Sequence, residues 1–109
     1  MEIRETRMQD AVVLALAGRL DSSTAPDLGR HLTALVERGE GRLVLDFSTL
    51  ESISSAGLAV MLAAAKKLRA RQGRLDLAGV NPRIRLVFEM SGFVSLFPMY
   101  ADVGQALQG

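Results

Sequence analysis

The feature that most constrains the fold is a change of pattern near the middle of the chain. A short apolar run at 43–45 leads into a mostly polar stretch, and a long segment rich in Ala and Leu follows. The apolar run predicts a buried strand, and the Ala- and Leu-rich segment predicts a helix. Two adjacent serines, Ser54 and Ser55, stand where this helix begins. The sequence therefore predicts a strand, a loop and a helix, with both serines at the helix start.

The rest of the chain predicts a single α/β domain over residues 1–109. We expect a hairpin of strands 2–8 and 11–17 that turns at Gln9-Asp10 and is broken by Gly18, and later strands at 43–47, 74–78 and, as an edge segment, 96–100. Helices are predicted from Ser23 or Thr24 to Gly39, from Ser55 to Gln72 with Gly73 closing it, from Asn81-Pro82 to about Ser91, and after Asp102. This order predicts a mixed, mostly parallel sheet with right-handed crossovers.

Composition narrows the possible functions. The chain has no cysteine, which excludes disulfides, thiolate metal sites and a cysteine nucleophile. Its net charge is +1 and its basic residues are dispersed, so nucleic acid is not an expected partner. No hydrophobic segment follows Met1, and the longest apolar run, 56–65, is far shorter than the ~20 residues of a membrane span. We expect a cytoplasmic protein that does not insert into membranes.

The sequence offers little for catalysis. Ser54 or Ser55 as a nucleophile would need a base, and the single histidine, His31, is predicted to lie on the surface of the first helix. No G-x-S-x-G elbow, Walker loop or dinucleotide-binding glycine loop is present. One histidine with scattered carboxylates does not form a metal site. We therefore expect no enzyme activity, no cofactor and no metal, with a serine hydrolase as a minor alternative.

The helix after Ser55 has an unusual outer face. At 100° per residue, its predicted core face consists of Met61, Leu62, Ala65 and Leu68. The opposite side carries small apolar residues for two turns: Ala56, Ala59, Val60 and Ala63. One interpretation is an alanine-rich helix of high intrinsic propensity. The interpretation we favour is a docking surface beside a modifiable serine, because propensity does not explain Val60.

Polar loops after two strands suggest where a site would lie. The loop Asp21-Ser22-Ser23-Thr24 contains residues that cap helices, and Asp46 is expected to end a strand and form an Asx turn. If the two strands are parallel neighbours, these loops open at the same edge of the sheet, where α/β proteins place their sites. A helix N-terminus at that edge can accept a serine cap or a phosphate equally well.

Three separated motifs resemble one known family. Asp46-Phe47-Ser48 with Ile53-Ser54-Ser55-Ala56-Gly57-Leu58 is similar to the signature of STAS domains, the anti-sigma factor antagonist family. Gly18-Arg19-Leu20-Asp21 matches too, as does Ser91-Gly92-Phe93 through Leu96-Phe97-Pro98-Met99-Tyr100. The resemblance covers essentially the whole chain. It implies a STAS-like fold, a small sheet with four helices packed mainly on one side.

The resemblance also implies partner switching. The unphosphorylated domain would bind an anti-sigma factor with serine-kinase activity, phosphorylation of Ser55 would end that binding, and a PP2C-type phosphatase would restore it. Two positions depart from the family pattern: Ser54 stands where many members have aspartate, and Ala56 where they have Ser or Thr. The partner-binding residues expected from the motifs and the outer helix face are Asp21, Ser22, Ser23, Thr24, Ser54, Ala56, Gly57, Ala59, Val60 and Ala63. The alternative is an accessory subunit of a membrane lipid-transport (ABC) complex without a phospho-switch.

Overall fold

A computed structural model describes residues 1–109 and contains one five-stranded sheet with the strands in sequence order. The strands are β1 (Glu2–Met8), β2 (Ala11–Leu20), β3 (Arg42–Ile53), β4 (Arg74–Ala78) and β5 (Met99–Tyr100). β1 and β2 form an antiparallel hairpin, whereas β2, β3, β4 and β5 are successively parallel. The predicted mixed, mostly parallel sheet is confirmed.

Four helices cover the two faces of the sheet unequally. They are α1 (Ala25–Glu37), α2 (Ser55–Ala70), α3 (Pro82–Met90) and α4 (Val103–Gln108), with a 3₁₀ turn at Val94–Leu96. The first three pack on one face over a core of 23 buried residues, and α4 packs on the other over a cluster of five. The predicted caps of α3 and α4 are present, since Asn81 and Asp102 accept backbone N–H bonds at 2.9 and 2.8 Å.

Two strands are longer than the sequence predicts. β2 continues through Gly18 to Leu20, and β3 runs past Asp46 and the predicted end at 47 to Ile53. The reason is that β4 pairs only with residues Arg42–Asp46 of β3, so the rest of β3 has a neighbour on one side only. Half-exposed positions there tolerate polar residues, and the apolar run therefore stops before the strand does. Asp46 still accepts a hydrogen bond from the backbone N–H of Ser48 at 3.0 Å.

α2 ends at Ala70, two residues before the predicted end at Gln72. Gly73 N–H donates to the Leu68 carbonyl at 2.7 Å and Gln72 N–H to the Arg69 carbonyl at 3.0 Å. This is the Schellman arrangement, and Gln72 occupies its left-handed position with φ of 64°. Gly73, which the sequence predicts to close the helix, is thus the residue after the left-handed one.

Two arginines, Arg42 and Arg74, form hydrogen bonds on the face of the sheet that α4 covers. Asp76 on β4 is fully buried, and its carboxylate accepts from Arg74 at 2.7 Å. That hydrogen bond raises the pKa of Arg74, which also donates to the Tyr100 hydroxyl at 3.0 Å. Arg42 on β3 donates to the Ala106 carbonyl near the end of α4 at 2.7 Å. The bond from Arg42 attaches α4 to the face opposite α1, α2 and α3, whereas the bonds of Arg74 join β4 to β5 beside it.

Candidate functional site

The carboxyl ends of β2 and β3 lie side by side and form the candidate site. Leu20 pairs with Ile53 in parallel register, and the Ser54 N–H donates to the Leu20 carbonyl at 2.9 Å. The loop that begins at Asp21 and the start of α2 therefore leave the sheet at the same edge. This confirms the shared edge for these two segments, whereas Asp46 lies within β3, at the level where β4 ends.

Gly57 allows α2 to approach these strand ends closely. A Cβ atom at this position would lie 2.6 Å from Cγ of Leu20 and 3.1 Å from Cγ1 of Ile53. Real Cβ atoms essentially never lie within 3.0 Å of another heavy atom, because van der Waals repulsion rises steeply there, so the contact with Leu20 would be a clash. The glycine thus fixes the position of the α2 N-terminus, and with it Ser54 and Ser55, relative to β2 and β3.

The two serines have different surroundings. Ser54 occupies the N-cap position in an extended conformation, but its side chain makes no capping hydrogen bond. Its Oγ atom is buried and has no hydrogen-bond partner. Ser55 is the first residue of α2 and is exposed to solvent. Only Ser55 therefore presents its hydroxyl to a reacting molecule.

The start of α2 has the electrostatic character of an anion site. The N–H groups of Ser55, Ala56 and Gly57 have no partner within the helix, and no side chain caps them. The first turn also contains no acidic residue that would offset the positive end of the helix dipole. A phosphate on the Ser55 side chain would meet unpaired donors and a favourable field.

Asp21 organises the neighbouring loop. One oxygen of its carboxylate accepts from the Ser23 hydroxyl at 2.8 Å, the Ser23 N–H at 3.0 Å and the Thr24 N–H at 3.2 Å. These hydrogen bonds, led by that from the Ser23 hydroxyl, lower the pKa of Asp21. The Thr24 hydroxyl accepts from the Asp21 N–H at 2.9 Å and donates to the Arg19 carbonyl at 2.8 Å. Ser22 is exposed and makes no side-chain hydrogen bond, so Asp21 and Thr24 set the loop's shape.

The outer face of α2 is only partly free. Ala59 and Ala63 are exposed as predicted, but Ala56 and Val60 are half-buried and pack against the main core. Val60 lies against α1 beside Gly29, so packing against α1 accounts for an apolar residue at this position. On the core face, Met61, Ala65 and Leu68 are buried, and Leu62 is half-buried. The surface available to a partner is thus centred on Ala59 and Ala63.

The remaining titratable groups lie away from this edge or at the surface. His31 is half-exposed, as predicted for a surface residue, and its Nε2 atom lies 3.1 Å from a Glu5 carboxylate oxygen.

No helix combines the length and the apolar character needed to cross a bilayer. The site consists of an exposed hydroxyl, a helix N-terminus and a small apolar surface, an arrangement that could support regulated binding.

Comparison with known proteins agrees with this geometry. Residues 3–98 match the family model described as Mlab, STAS domain, and the chain belongs to the STAS family. A Bordetella bronchiseptica protein, BtrV, which is assigned as an anti-sigma factor antagonist, is 43% identical over 91% of this chain and 85% of its own.

Solved structures share the fold. An assigned anti-sigma factor antagonist of Thermotoga maritima superposes with a TM-score of 0.92 at 20% identity, covering 97% of this chain and 92% of that one. The Bacillus cell-fate determinant SpoIIAA in its phosphorylated form gives 0.79 at 24% identity, covering 98% and 97% of the two chains. At these identities the superpositions establish the architecture.

Proposed function

We propose that the chain is a cytoplasmic anti-sigma factor antagonist without catalytic activity, which exchanges partners through phosphorylation of Ser55. With Ser55 unmodified, it binds an anti-sigma factor that has serine-kinase activity. The kinase transfers the γ-phosphoryl group of ATP to the Ser55 oxygen and releases ADP, and the modified chain dissociates. A PP2C-type phosphatase hydrolyses the phosphate ester and returns the chain to its binding form.

The observation that carries this proposal is the contrast between the two serines. The Ser55 hydroxyl is exposed at an uncapped helix N-terminus, whereas the Ser54 hydroxyl is buried. A kinase can therefore reach Ser55 without opening the fold. The relation to BtrV supports the antagonist role, and the phosphorylated form of SpoIIAA supports the compatibility of this architecture with a phosphate.

The partner surface follows from the position of Ser55. The exposed Ala59 and Ala63 continue from Ser55 along α2, and the Asp21 loop borders the helix start. A partner seated on this surface covers the Ser55 hydroxyl. Phosphorylation would then place nearly two charges beneath the partner, where an ion stripped of water and left unpaired costs several kcal/mol. Binding is lost at the interface while the fold is retained.

Incubation with the cognate kinase and ATP, followed by peptide mass spectrometry, tests the modification. We expect one phosphate on Ser55 and none on the Ser55→Ala variant. Ser54→Ala is the matched control, because it removes the neighbouring hydroxyl, which makes no hydrogen bond, and should leave phosphorylation intact. A phosphate on Ser54 would move the site by one residue, and the absence of phosphate on both serines would refute the switch.

A second candidate is a non-switching accessory subunit of a membrane lipid-transport (ABC) complex. The observation that favours it is the family model, whose description names Mlab and not an anti-sigma factor antagonist. Affinity purification from native lysate separates the two roles. A histidine-kinase-like ATPase in the eluate supports partner switching, and an ABC transporter ATPase supports the accessory subunit.

A further inference from the structure

A groove of about 420 Å³ separates α1 from α2 and opens to solvent. Its lining runs from Pro26 to Glu37 along α1 and from Val60 to Lys67 along α2. These spans correspond to about three and about two helical turns. Half of the twelve lining residues are hydrophobic. The groove thus offers an elongated, partly apolar surface, and α1 forms one of its two walls.

Gly29 leaves this groove open although the backbone does not require a glycine there. The residue lies inside α1, and its φ is outside the left-handed region. A Cβ atom would sit 3.6 Å from both methyl carbons of Val60, which is ordinary van der Waals contact. Glycine is a poorer residue than alanine inside a helix, so folding stability alone favours a side chain here. The missing side chain leaves room above Val60 for an atom of another molecule.

We infer that the groove receives an amphipathic helix of the anti-sigma factor, which lies along α1 and α2. This inference rests on the proposed function and adds α1 to its interface. Ala63 is exposed, belongs to the predicted docking face of α2 and also lines the groove, so the two surfaces are continuous. A partner that covers Ala63 reaches the groove without leaving the surface.

The residues that line the groove indicate which side chains the partner helix should carry. Small residues along the walls, Thr33, Ala34 and Ala63, permit the close approach that helix-in-groove recognition requires. Glu37 and Lys67 lie towards the carboxyl ends of α1 and α2, and neither forms an ion pair within the chain. The partner helix should therefore carry an apolar stripe flanked by an acidic group opposite Lys67 and a basic group opposite Glu37.

The test places a large side chain in the groove at Gly29. Gly29→Leu is expected to weaken binding to the purified cognate anti-sigma kinase, measured by calorimetry without ATP, at least tenfold while the melting midpoint does not fall. Ala70→Leu is the matched control, because Ala70 is exposed on α2 outside the groove, and its affinity should equal that of the wild type. A photo-cross-linking residue at Thr33 should capture the kinase, whereas one at Ala70 should not.

The outcomes separate this inference from the function on which it rests. If Ser55→Glu abolishes binding but Gly29→Leu binds like the wild type, the groove is not part of the interface, and the switch at Ser55 is retained. A wild-type chain that does not bind the kinase overturns both. Two further results would overturn the inference by showing a different occupant of the groove. One is a bound small molecule, seen by native mass spectrometry and lost in Gly29→Leu. The other is a homodimer that Gly29→Leu converts to a monomer.

Discussion

Gly57 and Gly29 are both helix glycines, but the structure gives them opposite surroundings. A methyl group at Gly57 would collide with Leu20, whereas one at Gly29 has room beside Val60. We expect Gly57→Ala to lower the free energy of unfolding by about 1–3 kcal/mol, the usual cost of overpacking. Gly29→Ala should raise it by up to about 1 kcal/mol, the difference in helix propensity. Urea denaturation measures both, and a Gly57→Ala variant as stable as the wild type would contradict the tight seating of α2.

The contribution of Asp21 to the free energy of unfolding should depend on pH. Hydrogen bonds led by that from the Ser23 hydroxyl lower its pKa below the ordinary 3.8 in the folded protein. The contribution is therefore complete above that ordinary value and is lost as the pH falls through the lower, folded value. The melting midpoint of the wild type should exceed that of Asp21→Asn at about pH 7, and the two should converge at about pH 2. A constant difference across this range would show that the carboxylate charge is not involved.

Asp21 is also expected to matter more for binding than for folding. Its hydrogen bonds shape a loop that lies beside the start of α2, so Asp21→Ala should change the surface that a partner meets. We expect a larger loss of affinity for the anti-sigma kinase than the accompanying fall in melting midpoint explains. Asp102→Ala is the matched control, because Asp102 accepts the Gln105 N–H at 2.8 Å at the start of α4, away from the Asp21 loop, and its loss should affect stability but not affinity. Equal affinities of Asp21→Ala and wild type would leave Asp21 a purely structural role.

At the scale of elements, hydrophobic patterning predicts the order of strands and helices but not the full length of β3. The apolar run of β3 covers the residues that have β4 as a neighbour, and the later residues pair with β2 alone. Polar residues are acceptable at those half-covered positions, so the pattern resembles a loop. The sequence does predict the placement of Ser54 and Ser55 at a helix start, because these serines directly precede an Ala- and Leu-rich segment.

The α1–α2 contact is the part of the site that a single sequence could not supply. Val60 is apolar on the side of α2 opposite its core face, and the helical pattern alone cannot state whether another helix covers it. The structure places α1 there, with Gly29 against Val60. Likewise, the pattern does not reveal that Gly57 is required by the Leu20 side chain, which lies 37 positions earlier in the chain.

The exposed part of the α2 face gives a prediction for binding. Ala59→Arg and Ala63→Glu place bulky charges at exposed positions, so each should change the free energy of unfolding by no more than about 0.5 kcal/mol. Both should block binding to the anti-sigma kinase if the face is the docking surface. Ala70→Arg, on an exposed position farther along α2, is the control and should bind normally. Normal binding by both test variants, or unfolding of either, would contradict a docking surface at these positions.

Across the whole molecule, the proposed switching edge lies apart from the face of the sheet that α4 covers. The carboxyl ends of β2 and β3 carry the Asp21 loop and Ser55, while α4 is fastened to the opposite face of the sheet by Arg42. A core of 23 buried residues lies beneath α1, α2 and α3, so the start of α2 stands on a rigid support. We therefore expect a charge added at Ser55 to act on what binds this edge and to leave the packing beneath it unchanged.

The Ser55→Glu variant tests this separation of fold and interface. A carboxylate at the first position of α2 faces unpaired N–H groups and the positive end of the helix dipole, so the melting midpoint should remain within a few degrees of the wild type. Beneath a bound kinase the same charge is stripped of water, and a penalty of ~4 kcal/mol weakens affinity about a thousandfold. Ser55→Ala, which adds no charge, should bind constitutively. Calorimetry with the kinase and thermal melting of each variant provide both quantities, and a Ser55→Glu variant that loses affinity only because it unfolds would place the switch in the fold and not at the interface.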